Sequence, residues 1–354
     1  MSLMKGAAQS MMKALLLDEK EGLVLQEVPR PEIKCDTDAI IRITLTAICG
    51  SDLHALHRGG GDPSVAEKIR GHEFVGVIDD VGSAVQRLQL GDRVLGMCTI
   101  QCGQCPECNR GRPVYCHQAM RYGRHVDGAQ AEYVRVPFAD HSVVPIPDAL
   151  SDEDVLLAGD IFPTGFMGAQ NGSIAPGDSV VIIGAGPVGL ATLASAQLFG
   201  PAQTIMVDLL DYRLDKAKEM GADQVINATK TSVPEAVKEL TDGQGADVSI
   251  EAVGRKETLH HALASTARGG HVSIIGLGHG PVDFPMHTMV HQGLSLRMGV
   301  VNVARVDRLI ALIASGKVDL TPIITHTLPL SDIIKGYQLF DTKQDGCVKV
   351  VLQC

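Results

Sequence analysis

The chain has 354 residues and a formal net charge of −10 at pH 7. That length can bury two cores, so two domains are expected. The acidic balance argues against nucleic acid or an anionic membrane surface as a partner, because both require a basic face on the protein. Residues 1–10 are expected to be a tag or leader, and the apolar run 15–17 is too short for a secretory signal.

The first part of the chain, from residue 12 to about residue 144, has the pattern of an irregular β domain. Short β-branched runs are separated by glycine and aspartate turns, which predicts strands over residues 40–48, 74–78, 93–95 and 133–136. Three side chains in or just after this region have the chemistry of zinc ligands: Cys49, His72 and Asp160. Three protein ligands would leave a fourth position open, as in catalytic sites. Each also has an ordinary structural explanation, as a small buried side chain, a loop histidine or a helix cap.

A second group of possible ligands is the run C-x2-C-x2-C-x7-C, formed by Cys102, Cys105, Cys108 and Cys116. In a long chain without a secretory signal, four crowded cysteines favour metal binding in a reducing compartment, which predicts a cytoplasmic protein. Four thiolates can close a tetrahedral zinc shell that stabilises a loop. An iron–sulfur cluster is the alternative, and the spacing alone does not choose between them.

From residue 151 the pattern changes to strands that alternate with helices. Ser151 to Asp154 is a helix-start signal. The uncharged stretch 179–207 is long enough to span a bilayer, but its glycines and prolines favour a buried strand, turn and helix. Six strands are predicted, over residues 180–183, 204–207, 224–226, 247–251, 271–275 and 295–298, and they indicate a doubly wound parallel sheet. Helices at 306–315 and 330–340 and a strand at 347–352 should then return to the first domain.

The strand at 180–183 leads into G-A-G-P-V-G at 184–189, and a helix is predicted over 190–199. Glycines in such a turn let the backbone approach a pyrophosphate at the helix N-terminus. Asp208 ends the next strand, 24 residues after Gly184, where a carboxylate would bind the adenosine ribose hydroxyls. The unit therefore predicts a dinucleotide site, with a simple glycine turn and a capping aspartate as the alternative.

Taken together, these motifs resemble the zinc-dependent medium-chain alcohol dehydrogenases, over nearly the whole chain from Met12. The resemblance rests on G-H-E-F-V-G at 71–76, G-D-R-V at 91–94, the four-cysteine run, residues 160–165, the glycine turn and Asp208. Asp160 stands where many animal and yeast members have cysteine, so the chain looks like the bacterial secondary-alcohol branch. This implies a Rossmann doubly wound parallel sheet over 159–298, and an irregular, GroES-like, β-rich catalytic domain over 1–158 and 299–354.

The resemblance also implies roles for individual residues. Cys49, His72 and Asp160 would bind a catalytic zinc, with Glu73 as an alternative or transient ligand, and the four-cysteine run would bind a structural zinc. Asp52 would orient His72, and Ser51 and His54 would form a proton relay. The cofactor-binding residues would be Thr164, Gly184, Gly186, Pro187, Val188, Gly189, Asp208 and Arg213.

The implied activity is NAD-dependent interconversion of a small, secondary alcohol with its ketone or aldehyde. Zinc would act as a Lewis acid that stabilises the alkoxide before hydride transfer to nicotinamide. The resemblance further implies two zinc ions per chain and a homo-oligomer, a tetramer rather than a dimer. Two rivals remain, a polyol or threonine dehydrogenase of the same superfamily and a non-catalytic dinucleotide sensor.

Overall fold

A computed structural model describes residues 10–18, 22–57, 68–278 and 281–354. The strands are β1 (Met11–Asp18), β2 (Gly22–Pro29), β3 (Ala39–Ala47), β4 (Phe74–Val81), β5 (Arg93–Gly96), β6 (Thr99–Ile100), β7 (Met120–Arg121), β8 (Tyr133–Val136), β9 (Val143–Pro145), β10 (Ser179–Ile183), β11 (Gln203–Asp208), β12 (Gln224–Asn227), β13 (Ala246–Glu251), β14 (Thr266–Ile274), β15 (Ser295–Met298), β16 (His326–Pro329) and β17 (Val350–Gln353).

The α-helices are α1 (Gly50–His57), α2 (Pro106–Asn109), α3 (Ala139–Ser142), α4 (Asp152–Leu156), α5 (Ile161–Asn171), α6 (Pro187–Gln197), α7 (Asp211–Glu219), α8 (Val233–Leu240), α9 (Lys256–Ser265), α10 (Met286–Gln292), α11 (Val306–Ala314) and α12 (Ile333–Thr342). Short 3₁₀ helices cover Pro113–Tyr115, Leu157–Gly159, Thr321–Ile323 and Leu330–Asp332. The strands predicted from the sequence are present, although β14 begins five residues early and the last strand is shorter than predicted.

The chain divides into two compact units. The first contains the residues up to Gly159 together with His326–Cys354, and the second is Asp160–Thr325. The sequence assigned residues 299–325 to the first domain, whereas this division places them in the second unit. The physical reason is that α11 packs against α5, so this segment belongs to the core of the second unit.

The first unit is built on a mixed sheet with the strand order β16-β17-β3-β4-β5-β9, and β8 also pairs with β3. One of its core clusters packs Ile41, Phe74, Ile78 and Val94 from three neighbouring strands. β3 and β4 are antiparallel, with Thr46 opposite Phe74. The end of β3 therefore lies beside the start of β4, which brings the segments around residues 49 and 72 together.

The second unit is the doubly wound α/β fold that the sequence predicts. Its six strands are all parallel, in the order β12-β11-β10-β13-β14-β15. The uncharged stretch forms β10, α6 and β11, and these strands lie inside the sheet. Among the described residues, no helix combines the length and apolar character needed to cross a membrane.

The helix start predicted after residue 150 is confirmed in detail. Ser151 caps α4 by accepting a hydrogen bond from the Asp154 N–H at 3.2 Å, and the Asp154 carboxylate accepts from the Ser151 N–H at 2.8 Å. This reciprocal capping box satisfies two backbone donors that the helix itself cannot satisfy.

Candidate active site

The predicted open metal site is assembled from residues far apart in the sequence. Cys49, His72, Glu73 and Asp160 each present one ligand atom, and these four atoms lie within 4.8 Å of one another. Cys49 follows β3, His72 and Glu73 precede β4, and Asp160 directly follows the last residue of the first unit. Thiolate, imidazole and carboxylate are the donors that zinc accepts in catalytic sites, so the donor set fits that metal.

Asp160 has a backbone role and a separate side-chain role. It is the residue before α5, but its side chain makes no capping hydrogen bond, and its backbone carbonyl instead accepts from the Thr164 hydroxyl at 2.8 Å. The structural explanation of Asp160 as a helix cap is therefore wrong. Its carboxylate is directed to the ligand cluster rather than to the helix.

His72 is oriented by two polar neighbours on α1. Its Nδ1 atom lies 3.5 Å from Asp52 Oδ1, and its Nε2 atom lies 3.4 Å from Ser51 Oγ. Asp52 also accepts a hydrogen bond from the Cys49 N–H at 3.0 Å. Burial acts to raise the pKa of the Asp52 carboxyl, but the charge and hydrogen bond of His72, together with Arg70, hold that pKa below its usual value. An ionised carboxylate at Nδ1 makes Nε2 the coordinating atom.

Glu73 has a partner that the sequence analysis missed. Its carboxylate forms an ion pair with the Lys349 ammonium, and both side chains are 0% exposed. A buried charge is costly unless an opposite charge compensates it, so removing either residue would leave the other charge buried and uncompensated. The available signal was a lone lysine in the apolar segment C-V-K-V-V-L at 347–352. Ligation of a metal by Glu73 stays a prediction.

The four-cysteine run forms a second cluster, in which the four sulfur atoms lie within 4.8 Å of one another. Cys105 and Cys108 sulfurs are 3.6 Å apart, and Cys102 and Cys116 sulfurs are 3.5 Å apart. A disulfide would need about 2.05 Å, whereas a tetrahedral zinc with bonds of about 2.3 Å separates its sulfurs by about 3.8 Å. The geometry thus fits one tetrahedral ion. An iron–sulfur cluster fits less well, because it spreads its four thiolates over two or four iron atoms instead of one.

The environment of these thiols differs from one cysteine to the next. Backbone hydrogen bonds from Cys108 and His117 lower the pKa of Cys105 to about 6, whereas burial raises the pKa of Cys108 to about 12. Metal ligation requires thiolates, so metal binding here must displace protons. None of the nine cysteines, all of which lie in the described ranges, forms a disulfide.

The glycine turn after β10 has the geometry of a phosphate-binding turn. Gly184 has a φ of +104°, and a side chain on Gly189 would come 1.7 Å from the Gly184 carbonyl oxygen. Both positions therefore require glycine. A side chain at Gly186 would meet only Arg213 Nη1, at 3.7 Å. Pro187, which lacks an N–H, occupies the first turn of α6, and Pro187 and Val188 are both half-buried.

Asp208 closes this turn from the neighbouring strand. Its Oδ2 accepts from the Ala185 N–H at 2.8 Å, while Oδ1 accepts from Leu209 and Leu210 at 2.8 and 3.1 Å. Arg213 Nη1 lies 3.9 Å from Oδ2. The acid and the glycine turn are thus held together before any ligand binds. Three residues predicted beside the reaction, Ser51, His54 and Thr164, are half-buried.

Comparisons with known proteins identify the class. Residues 35–148 match the alcohol dehydrogenase GroES-like domain, and residues 187–315 match the zinc-binding dehydrogenase family. An alcohol dehydrogenase of Cupriavidus necator is 37% identical, over 97% of this chain and 99% of the relative. The chain belongs to the zinc-dependent medium-chain alcohol dehydrogenase family, as its motifs predict.

Other relatives show how wide this family is. The structure of the alcohol dehydrogenase TADH from Thermus sp. ATN1 matches with a TM-score of 0.91 and 39% identity, over 97% of this chain and 99% of that one. An L-threonine 3-dehydrogenase of Shewanella putrefaciens is 32% identical over 96% of this chain and 99% of the relative. A zinc-binding dehydrogenase from Sinorhizobium meliloti bound to NADP is 29% identical, with a TM-score of 0.88, over 98% of this chain and 100% of that one.

Proposed function

We propose that this chain is an NAD-dependent, zinc-dependent alcohol dehydrogenase that interconverts small secondary alcohols with their ketones. The observation that carries the proposal is the convergence of Cys49, His72, Glu73 and Asp160 on one point, in a chain of this family. A sensor or structural protein has no need for an open ligand set next to polar side chains that can move a proton.

The proposed mechanism divides the work between the bound groups and the chain. Zinc supplies a Lewis acid that favours loss of the hydroxyl proton, and nicotinamide supplies a hydride acceptor. Cys49, His72 and Asp160 hold the metal, and Asp52 orients the His72 ring. Ser51, whose hydroxyl lies 3.4 Å from His72 Nε2, would accept the substrate proton as it gives up its own hydroxyl proton towards His54, and His54 would pass that proton to solvent.

We assign the cofactor site to the second unit. The turn of Gly184, Gly186 and Gly189, with Pro187, binds the pyrophosphate at the N-terminus of α6. Asp208 binds the adenosine ribose hydroxyls, and Arg213 lies beside it at the same end of the site. Thr164 and Val188 line the nicotinamide.

The proposed function is tested by metal analysis followed by a reduction assay. We expect two zinc ions per chain, and faster NADH formation with secondary alcohols such as 2-butanol than with their primary isomers. The panel includes L-threonine and a linear polyol, because a threonine dehydrogenase is among the relatives and the threonine hydroxyl is itself a secondary alcohol. Fastest oxidation of L-threonine would replace the proposed substrate class, and zinc-loaded protein that reduces neither NAD nor NADP would indicate a sensor.

We expect a preference for NAD over NADP, because the Asp208 carboxylate would repel a 2′-phosphate. Asp208→Gly should weaken NAD binding by about tenfold, as expected for losing one or two hydrogen bonds, and should improve NADP binding. Asp208→Asn is the matched control, because its amide oxygen can still accept from the Ala185 N–H while the charge is removed. Titration with both dinucleotides measures the effect, and a wild-type preference for NADP contradicts the assignment.

Removal of the His54 imidazole should slow alcohol oxidation by about tenfold at acidic pH, where solvent is a poor proton acceptor, and less at alkaline pH. His54→Ala should keep its zinc, and added buffer should restore part of the rate. His57→Ala is the control, since His57 lies on the same helix but is exposed and pairs with Asp341. An unchanged pH–rate profile for His54→Ala would contradict the proton-relay role and indicate that His54 is an ordinary surface histidine.

We also propose a cytoplasmic homotetramer. Disulfide-free thiols are typical of a reducing compartment. β15 is an edge strand of the six-stranded sheet, and Met286, Val290 and Met298 on α10 and β15 are more than 60% exposed, which supports self-association. Sedimentation velocity should give four times the 37.5 kDa chain mass, and a value near twice that mass would indicate a dimer.

A further inference from the structure

Behind His72 lies a buried row of three polar side chains, of which the proposed mechanism uses only Asp52. The Tyr337 hydroxyl on α12 donates to Gln130 Oε1 at 2.8 Å, and Gln130 Nε2 lies 3.4 Å from Asp52 Oδ2. Asp52 then faces His72 Nδ1 at 3.5 Å. Tyr337, Gln130 and Asp52 are 2%, 0% and 3% exposed. We call Tyr337, Gln130 and Asp52 the polar row.

The donor and acceptor chemistry of these groups fixes the direction of the hydrogen bonds along the polar row, from Tyr337 towards Asp52. An ionised Asp52 can only accept hydrogen bonds, so the Gln130 amide must point its NH₂ group towards it. The same NH₂ group donates to the Ala47 carbonyl at 3.2 Å. The Gln130 oxygen then faces Tyr337, whose hydroxyl must donate. Each group in the polar row thus donates a hydrogen bond to the next one. The Asp52 oxygen that faces His72 accepts from Nδ1, which favours the His72 tautomer with its proton on Nδ1.

The surrounding backbone holds Gln130 in place. Its N–H donates to the Arg70 carbonyl at 2.7 Å, and its carbonyl accepts from the Leu15 N–H at 2.9 Å. A side chain at Gly71 would come 2.5 Å from the Gln130 side chain, so the residue before His72 packs directly on the polar row. Gln130 is therefore fixed relative to the segment that carries the ligand.

Arg70 supplies the compensating charge for the buried Asp52. One guanidinium nitrogen lies 4.0 Å from Asp52 Oδ1, and the other donates to the Gly123 carbonyl at 2.9 Å. Arg70 itself is 6% exposed. A buried carboxylate needs both an opposite charge and hydrogen-bond donors to stay ionised, and this cluster provides both.

We propose that Gln130 and Tyr337 are positioning residues for the metal site: by fixing Asp52 they set the tautomer and ring orientation of His72, and so the rate at which the open site releases its metal. The inference rests on the proposed function, in which His72 binds zinc. Partners beyond the ligands themselves typically change metal affinity or activity by 10–100-fold. Tyr337 is two residues further from the metal than Asp52, because Gln130 lies between them, so an effect of about tenfold, at the lower end of that range, is expected.

The test compares the rate at which zinc passes from the protein to a chelator, dipicolinate, followed optically. The parent should release zinc in two phases, and Asp160→Ala should abolish or greatly speed the phase that belongs to the open site. Tyr337→Phe should speed that phase about tenfold and leave the four-cysteine phase unchanged. Gln130→Met should speed it at least as much. With Co²⁺ in the open site, both variants should shift the visible absorption bands.

Tyr122→Phe is the matched control, because the Tyr122 hydroxyl is also buried and makes no hydrogen bond to the described residues. It should change neither the release rate nor the cobalt spectrum. If Tyr337→Phe releases metal at the parent rate with the parent spectrum, the positioning role is wrong, even when its melting temperature falls. A parent without an Asp160-dependent phase would instead overturn the zinc assignment itself.

Discussion

Asp160→Ala should reduce alcohol oxidation by at least about a thousandfold while the protein remains folded and still binds NAD. The Lewis acid contributes several kcal/mol to such a reaction, and each 1.4 kcal/mol corresponds to about tenfold in rate. The fold should tolerate the change, because the Asp160 side chain makes no capping hydrogen bond to α5. The dinucleotide turn lies on β10 and α6 and is not altered.

Zinc content must be measured alongside turnover for this variant, because Glu73 reaches the same cluster and can hold the ion in a misplaced position. Asp154→Ala is an instructive control. It removes a real capping interaction of α4, at a cost of about 1 kcal/mol, and should lower the melting temperature while leaving turnover intact. A normal rate for Asp160→Ala would refute the catalytic assignment.

Cys108→Ser should have the opposite phenotype. Loss of one thiolate from the shell of Cys102, Cys105, Cys108 and Cys116 should release the structural metal and loosen residues 101–117. Metal binding in such a loop is coupled to its local folding. The melting temperature should fall by several degrees, and activity should decline only as the protein unfolds.

Zinc per chain, melting temperature, NAD binding and turnover separate the two variants. Cys35→Ser is the control for Cys108→Ser, because Cys35 is exposed and lies outside the cluster. It should keep the full metal content and parent stability. A parent with a single zinc, or a Cys108→Ser protein that retains its metal and its stability, would be incompatible with the structural role.

Local chemistry explains which features could be predicted from the sequence. The capping box of Ser151 and Asp154, the turn that admits only glycine at Gly184 and Gly189, and the C-x2-C-x2-C run each depend on residues within about fifteen positions. Residue type and spacing are sufficient to predict the backbone conformation and the ligands that these features require. The parallel sheet was predicted from the alternation of strands and helices, whereas the order of its strands comes from the structure.

Contacts between segments that are far apart in the sequence could not be predicted in this way. The sequence around Glu73 does not indicate that Lys349, 276 positions later, compensates the Glu73 charge in the core. The row from Tyr337 through Gln130 to Asp52 joins three segments with no common motif. The segment 299–325 likewise belongs to the second unit because α11 packs on α5.

The sequence by itself therefore determined the family, the two kinds of fold and the residue types available for metal and dinucleotide binding. Only the tertiary structure decided which buried charges compensate one another, and which side chains stand behind the ligands. The physical reason is that a buried polar group requires a partner but does not specify where in the chain that partner lies. Packing of the first unit brings the C-terminal segment and α12 to the site, and so supplies Lys349 and Tyr337.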